Sequence, residues 1–438
     1  MGADDPRTLH DSGALTPPIT PTCSSHAKST SISSDFLSTL SSLRRGDSTS
    51  SRTSTRASMD MDRKPGGAEP IYFPHHLTDY AIMVTAKGKK IIIGEGLWSD
   101  VYLARPSVPQ HKDQLELPAP AGTTTPPTTP IHSRKSSLEV HQLPASPSSY
   151  AIKVPASTSA KKVIAAEGKI LSYLSRFPNA ERHVIAFYGL DTRTGALVLK
   201  AMDGTLETWI QQELNVLDET SRAQKLATIF PAIATSLLDS LLWMQDKDCI
   251  HADIKPSNIL VSNTSSTTIP TTVFADFSSS VVKTQSSDDT KTIETSPIGA
   301  GTWEYIDPSL LSTRSPATPS ASTDLWSLAI TLLFLVIGNS PFDAFKHNKF
   351  QQREMIKAGA PLQCLGYSDD GIKSIKRLSE LSGALGFDVQ GWFAKVLVKG
   401  TEGGGIGKWK EEIVNAVAAA AAAAAARGWR RCEWLCVV

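Results

Sequence analysis

The chain has 438 residues, with 44 Lys and Arg against 43 Asp and Glu, and a formal net charge of +1. That length suffices for a buried core of domain size, or for two lobes, and the balanced charge points away from nucleic acid or an anionic membrane as ligand. The five cysteines are scattered and odd in number, which suits a reducing compartment rather than a disulfide framework.

Residues 1–70 are dominated by Ser, Thr, Pro and Arg. So few large apolar side chains cannot offset the entropy of ordering, and a disordered tail is expected. From 71 the text changes. "AIMVTAKGKKIIIGEGLWSDVYLA" reads as strands around a Gly-containing turn. A Pro/Thr/Ser-rich stretch, 106–149, then ends abruptly at the short apolar strand "YAIKVP". It reads as a disordered insertion between adjacent strands. Val163, Ile164, Ile170, Leu171 and Leu174 fall at helical spacing, and "VIAFYGL" and "ALVLKAM" read as strands. Ile233, Leu237, Leu238, Leu241 and Leu242 mark a second helix, which Pro231 is expected to start or kink. "STDLWSLAITLLFLVIG" is apolar nearly all round and predicts a buried helix capped by Thr323 or Ser322 and stopped by Gly338. Its longest apolar run, 328–338, is too short to span a bilayer. Beyond 404 the chain is Gly-rich and then all Ala from 418 to 426. That composition predicts a low-complexity tail, 405–438, whose poly-Ala run could form a helix but offers no face to pack.

Candidate chemistry gathers in a few short stretches. Gly94 and Gly96, in "GEGLWSDV", lie between strands, where a glycine-rich backbone can approach a phosphate closely. An ordinary hairpin turn would use the same residues. Lys153 sits among Ala151, Ile152 and Val154, so it either finds an anion, with Glu167 on the following helix as the nearest candidate, or points to solvent from an edge strand. "IHADIKPSNIL" (250–260) and "VFADFSSS" (273–280) place Asp253, Lys255, Asn258 and Asp276 together.

In chain order, "GEGLWSDV", "AIK", "AAEGKIL", "HADIKPSN", "DFS", "GTWEYIDP" and "DLWSLA" resemble a eukaryotic protein kinase of the Ser/Thr type over roughly 85–400. The resemblance implies an α+β, two-lobed fold flanked by disordered segments. A small β-rich N-lobe with one helix (71–202) would precede a larger helical C-lobe (203–404). It implies ATP and Mg²⁺, with Lys153 on the phosphates and paired to Glu167, Asp253 as base, Lys255 on the γ-phosphate, Thr302 beside them, and Asn258 and Asp276 as metal ligands. Adenine would lie between Val101 and Ala151 above and Leu260 below, with Leu199 as gatekeeper and Lys200 to Met202 as hinge. Asp324 would bond the catalytic-loop backbone, and Leu171, Phe187, His251 and Phe277 would stack as a spine. The chain departs from the family at Ala252, where an Arg normally reads an activation-loop phosphate. It departs again at Ser99 and Ser278, each in place of Gly, and at Asp307 and Ser309, in place of Ala and Glu. The expected activity is phosphotransfer to a protein hydroxyl, independent of activation-loop phosphorylation. A pseudokinase-like scaffold that binds nucleotide or partners without turnover is the alternative. A monomer in the cytoplasm or nucleus is expected, acting on a protein substrate, without nucleic acid or membrane, and with tails that other kinases phosphorylate.

Overall fold

The computed structural model describes residues 69–108, 147–263, 269–282, 301–311, 317–367, 371–398 and 405–433. All fall within one compact unit, Ala57–Val438. The expectations for the N-terminal tail, the body of the insertion and the loop 283–300 lie outside the described residues.

The first lobe is an antiparallel sheet built from β1 (Asp79–Ile82), β2 (Ile92–Glu95), β3 (Ser99–Ser107), β4 (Tyr150–Pro155), β5 (Phe187–Leu190) and β6 (Leu197–Lys200), in the order β1-β3-β4-β6-β5 with β2 on β3. β3 and β4 pair directly, from Ser99↔Pro155 to Ala104↔Tyr150. The Pro/Thr/Ser-rich stretch therefore joins sheet neighbours, although β3 runs on through Pro106 and Ser107, which composition had assigned to the insertion. Alternation along β4 sends Tyr150 and Ile152 into one apolar cluster with Phe73, Ala104 and Val198, and Ala151 into the main core. Helix α1 (Ala160–Leu174) lays Ile164, Leu171 and Leu174 against that core.

The second lobe is mostly helical. A two-residue strand β7 (Gly204–Thr205) leads into α2 (Leu206–Trp209), then α3 (Glu219–Asp246), β8 (Cys249–Ile250), β9 (Ile259–Ser262), β10 (Thr271–Phe274) and β11 (Val281–Val282). It continues with α4 (Ala321–Ile337), α5 (Lys349–Ala358), α6 (Pro361–Cys364), α7 (Gly371–Leu385), α8 (Val389–Ala394) and α9 (Gly405–Glu433). Helix α3 starts at its cap Asp218, whose carboxylate accepts from the Thr220 and Ser221 amides, and runs through Pro231. The proline does not start it. Leu226, Ile229, Phe230, Ile233 and Leu237, all buried, hold the helix across the missing N–H. By length and composition alone α3 could cross a bilayer, but half of its apolar window is buried inside the domain, as a core helix requires.

Every residue of α4 from Thr323 to Ile337 is buried. Its cap is Ser320, not Thr323 or Ser322. Thr323 is instead the reciprocal partner in a capping box, receiving the Ser320 amide at 2.9 Å. Gly338 stops the helix at φ +88°. The last carbonyls of a buried helix need donors. Arg222 serves Val336 at 2.8 Å and Leu335 at 3.2 Å, Arg377 serves Ile337, and the Asn215 amide serves Gly338 at 2.8 Å.

Arg377 is itself held by Glu219 through paired contacts of 2.8 and 2.7 Å. Hydrogen bonding from Arg377, against the opposing effect of burial, holds the Glu219 carboxyl down at about 2, below its ordinary 4.5. A folded value below the unfolded one means the pair stabilises above about pH 4.5 and is lost as pH falls toward 2. Denaturant midpoints should therefore fall less steeply over that window in Glu219→Gln than in wild type. Parallel slopes would mean that Arg377 gains nothing from the ionised acid.

The segment after 404, expected as a low-complexity tail, forms α9. Ile406, Trp409 and Ile413 are buried, and Trp409 stacks on Trp392 with centroids 3.8 Å apart and planes 9° from parallel. Each indole N–H donates to the other residue's carbonyl, at 2.9 and 2.8 Å. The packing face is complete before the alanine run begins, so the run's own lack of a face did not decide the matter.

Candidate active site

Lys153 points inward from β4. Its ammonium donates to both Glu167 oxygens, at 2.8 and 2.7 Å, and to Asp276 at 2.9 Å. The solvent-facing alternative is thereby excluded. Glu167 also accepts from the Phe277 amide at 3.2 Å, which ties α1 to the backbone after Asp276. Burial alone would favour the neutral amine, but the Glu167 and Asp276 carboxylates outweigh it and raise the Lys153 pKa above its ordinary value. Burial lifts the Glu167 carboxyl against the pull of Lys153. At Asp276 the balance runs the other way. Burial opposes ionisation, yet Lys153 holds the carboxyl down at about 2.

The loop between β8 and β9 is pinned from α4. Buried Asp324 accepts from the His251 amide at 2.7 Å and the Ala252 amide at 2.9 Å. Its burial pushes its own carboxyl up to about 7, against those two donors. Ala252 takes a left-handed φ of +63°, a conformation alanine adopts only when the surroundings over-determine it. Burial lowers the His251 pKa. The ring Nε2–H donates to the Ala275 carbonyl at 3.0 Å, while Nδ1 faces the Asp253 amide at 3.4 Å. Leu171, Phe187, His251 and Phe277 are all buried, and the His251 and Phe277 rings lie 4.8 Å apart.

Asp253 is surrounded by donors. One carboxylate oxygen accepts from the Thr302 amide (2.9 Å) and hydroxyl (3.1 Å). The other accepts from the Asn258 amide and from Lys255, each at 3.0 Å. Lys255 also donates to the Thr302 hydroxyl at 2.7 Å. Asn258 is drawn toward Asp276 because the Ala275 amide donates to the Asn258 carbonyl at 2.8 Å. Its side-chain nitrogen is committed to Asp253, which leaves the amide oxygen for another partner. That oxygen and the Asp276 carboxylate are hard donors of the kind Mg²⁺ takes. No group of three or more His, Cys, Asp or Glu assembles among the described residues, so a cation held by Asn258 and Asp276 would take the rest of its shell from other donors such as phosphate and water.

The residues expected to flank adenine pack in or on the main core. Ala151 and Leu199 belong to the main core, with Val101, Met202 and Leu260 packed against it. Lys200 is exposed, and its amide and that of Ala201 donate to the Ala186 and Ser149 carbonyls. Gly96 closes the β2–β3 turn with an amide donated to the Ser99 carbonyl at 2.9 Å, and Gly94 lies against Val101. Leu97 is 81% exposed at its tip. The contacts thus bring Lys153, Glu167 and Asp276 into one group and Asp253, Lys255, Asn258 and Thr302 into another. Sequence reading missed the clasp between Glu167 and the Phe277 amide and the hydroxyl of Ser280, which donates to the His251 carbonyl at 3.0 Å. Both are backbone contacts without a side-chain signature.

Comparison with known proteins agrees with this geometry. The profile of the protein kinase domain matches residues 144–384. The dual specificity mitogen-activated protein kinase kinase sek-1 of Caenorhabditis elegans is 26% identical over 207 residues, 45% of this chain and 55% of that protein. The serine/threonine-protein kinase ISR1 of Eremothecium gossypii is 29% identical over 208 residues, 44% of this chain and 53% of that one. The mitogen-activated protein kinase kinase 1c of Physcomitrium patens is 32% identical over 149 residues, 34% and 36% of the respective chains. The matched region spans about half the length of the first two relatives and a smaller part of the third. A cleft that pairs a strand lysine with a helix glutamate, beside an aspartate ringed by Lys, Asn and Thr, and a profile match over more than half the chain lead to one assignment: this chain belongs to the protein kinase family.

Proposed function

We propose that the domain transfers the γ-phosphate of ATP to a serine or threonine hydroxyl of a protein substrate. The observation that carries this reading is the completed Lys153–Glu167–Asp276 ion cluster, closed by the Phe277 amide on Glu167. Phosphoryl transfer needs positioning and positive charge more than covalent help. Lys153 would hold the α- and β-phosphates. Asp253, fixed by its donors, would orient the acceptor hydroxyl and take its proton, and Lys255 would steady the γ-phosphate. Asn258 and Asp276 would hold Mg²⁺, which supplies charge neutralisation between phosphates. Lys255, two residues after Asp253, is the feature that favours Ser and Thr as acceptors.

The test is transfer from labelled ATP to mixed protein acceptors by the purified chain, with phosphoamino-acid analysis and a chelator control. Mg²⁺-dependent phosphoserine or phosphothreonine supports the reading, and phosphotyrosine alongside them would widen the acceptor class. Nucleotide binding without transfer would replace it with a scaffold role.

Activity is further proposed not to depend on phosphorylation of the loop 283–300. Ala252 carries no guanidinium to receive a loop phosphate, and Asp288, Asp289 and Glu294 already make that segment acidic. Phosphatase treatment, or joint replacement of Thr290, Thr292, Thr295 and Ser296 by Ala, should leave most of the activity. Collapse under both treatments would show that another basic residue reads a loop phosphate.

A further inference from the structure

β5 ends the sheet order, and an uncovered edge strand presents unpaired backbone groups. The chain ahead of β1 covers it. The Leu190 amide donates to the Ile71 carbonyl at 2.8 Å, and the Phe73 amide donates to the Leu190 carbonyl at 3.0 Å, around a parallel bridge between Tyr72 and Leu190. The approach demands glycine at 189. That residue has φ +135°, and a Cβ there would lie 2.8 Å from the Phe73 Cα and closer still to the Phe73 nitrogen. Phe73, 4% exposed, fills the outer cluster of the sheet. Just beyond it, His75 Nε2 at 3.0 Å and the Tyr80 hydroxyl at 2.5 Å converge on buried Asp191.

The same segment reaches inward to α1. The Ile71 amide donates to the Ser172 hydroxyl at 2.9 Å. Ser172 is fully buried, and its hydroxyl donates at 2.6 Å to the carbonyl of Gly168, the residue after Glu167. Arg176, just past α1, donates to the Glu69 carbonyl. Residues 69–73 are therefore bonded on one side to the sheet edge and on the other to the helix that carries Glu167.

We infer that residues 69–73 form a brace that fixes α1 in the inward position, making Ile71, Ser172 and Gly189 positioning residues for the Lys153–Glu167 pair. The inference rests on the assignment of that pair to ATP under Proposed function. With the brace released, α1 loses its bonds to the sheet edge, and states with Glu167 withdrawn gain population. ATP then selects the braced fraction, so its apparent affinity falls by that fraction while turnover at saturation is kept.

The experiment compares the full chain with Gly189→Ala, which displaces the segment, and Ser172→Ala, which removes one acceptor and leaves the backbone unstrained. Amide hydrogen exchange should speed up over 69–73 and 160–174 in both variants, with α3 unchanged. In Ser172→Ala the KM for ATP should rise, by at most about fivefold, the factor by which one lost hydrogen bond changes the braced-to-released ratio, with kcat within about twofold of wild type. Wild-type exchange in α1 in both variants, or loss of kcat at unchanged KM, overturns the brace. Should Gly189→Ala fail to fold, Ser172→Ala decides alone. If the wild-type chain transfers no phosphate while α1 exchange still responds in the variants, the brace stands and the activity assignment fails.

Discussion

Asp253→Ala is expected to lower kcat by about 10²–10⁴-fold while ATP affinity stays near wild type. The carboxylate accepts from Thr302, Asn258 and Lys255, and after its removal Asn258 keeps the 253 carbonyl and Lys255 the Thr302 hydroxyl as partners. Folding therefore loses little, and the Lys153 cluster is untouched. What is lost is the group that orients the acceptor oxygen and receives its proton. Lys153→Met is the informative comparison. It strands Glu167, 1% exposed, without its cation, and an uncompensated buried charge destabilises by about 3–5 kcal/mol unless the acid takes up a proton. Melting temperature should thus fall in Lys153→Met and hold in Asp253→Ala, while both lose transfer. An Asp253→Ala enzyme with wild-type kcat would remove Asp253 from the chemistry.

The cleft was largely legible in the sequence because its parts are short and rigidly spaced. Asp253, Lys255 and Asn258 lie on one turn, and Asp276 follows a strand whose apolar pattern is plain. The β4 alternation, Tyr150 and Ile152 outward and Lys153 inward, could likewise be read from neighbours two residues apart. What escaped reading depends on partners far along the chain. Nothing near Gly189 announces that Phe73 will lie against it, and nothing near Arg222 or Arg377 says that they will serve the last carbonyls of α4. Pro231 does not start a helix as its local rule allows, because α3 runs through it with Ile229, Phe230 and Ile233 buried on either side. The α4 cap moved for a local reason, since Ser320 and Thr323 satisfy each other's amides, whereas Ser322 lies too late to do so.

Trp409→Ala is expected to destabilise the domain by about 3–5 kcal/mol, the range for emptying a buried tryptophan site. Trp409 is 3% exposed. Its loss removes the stack on Trp392, opens a void between α8 and α9, and takes away the acceptor geometry that both indole nitrogens share. The Trp392 N–H can still reach the 409 carbonyl, but only if α9 keeps its position, and Ile406, Ile413 and the Lys395–Glu412 and Lys410–Asp239 pairs must then hold it. Phe230 and Phe393, whose rings contact Trp392 at 6.1 and 5.1 Å, would pass the loosening on to α3 and the core. A surface change on the same helix is the control. Val414→Ser, at a position 42% exposed, should shift stability by no more than about 0.5 kcal/mol. Denaturant unfolding of the two variants beside wild type separates a docked helix from a tail. Equal midpoints for all three would mean that α9 contributes nothing to the fold, whereas a large drop confined to Trp409→Ala makes the segment after 404 part of the domain.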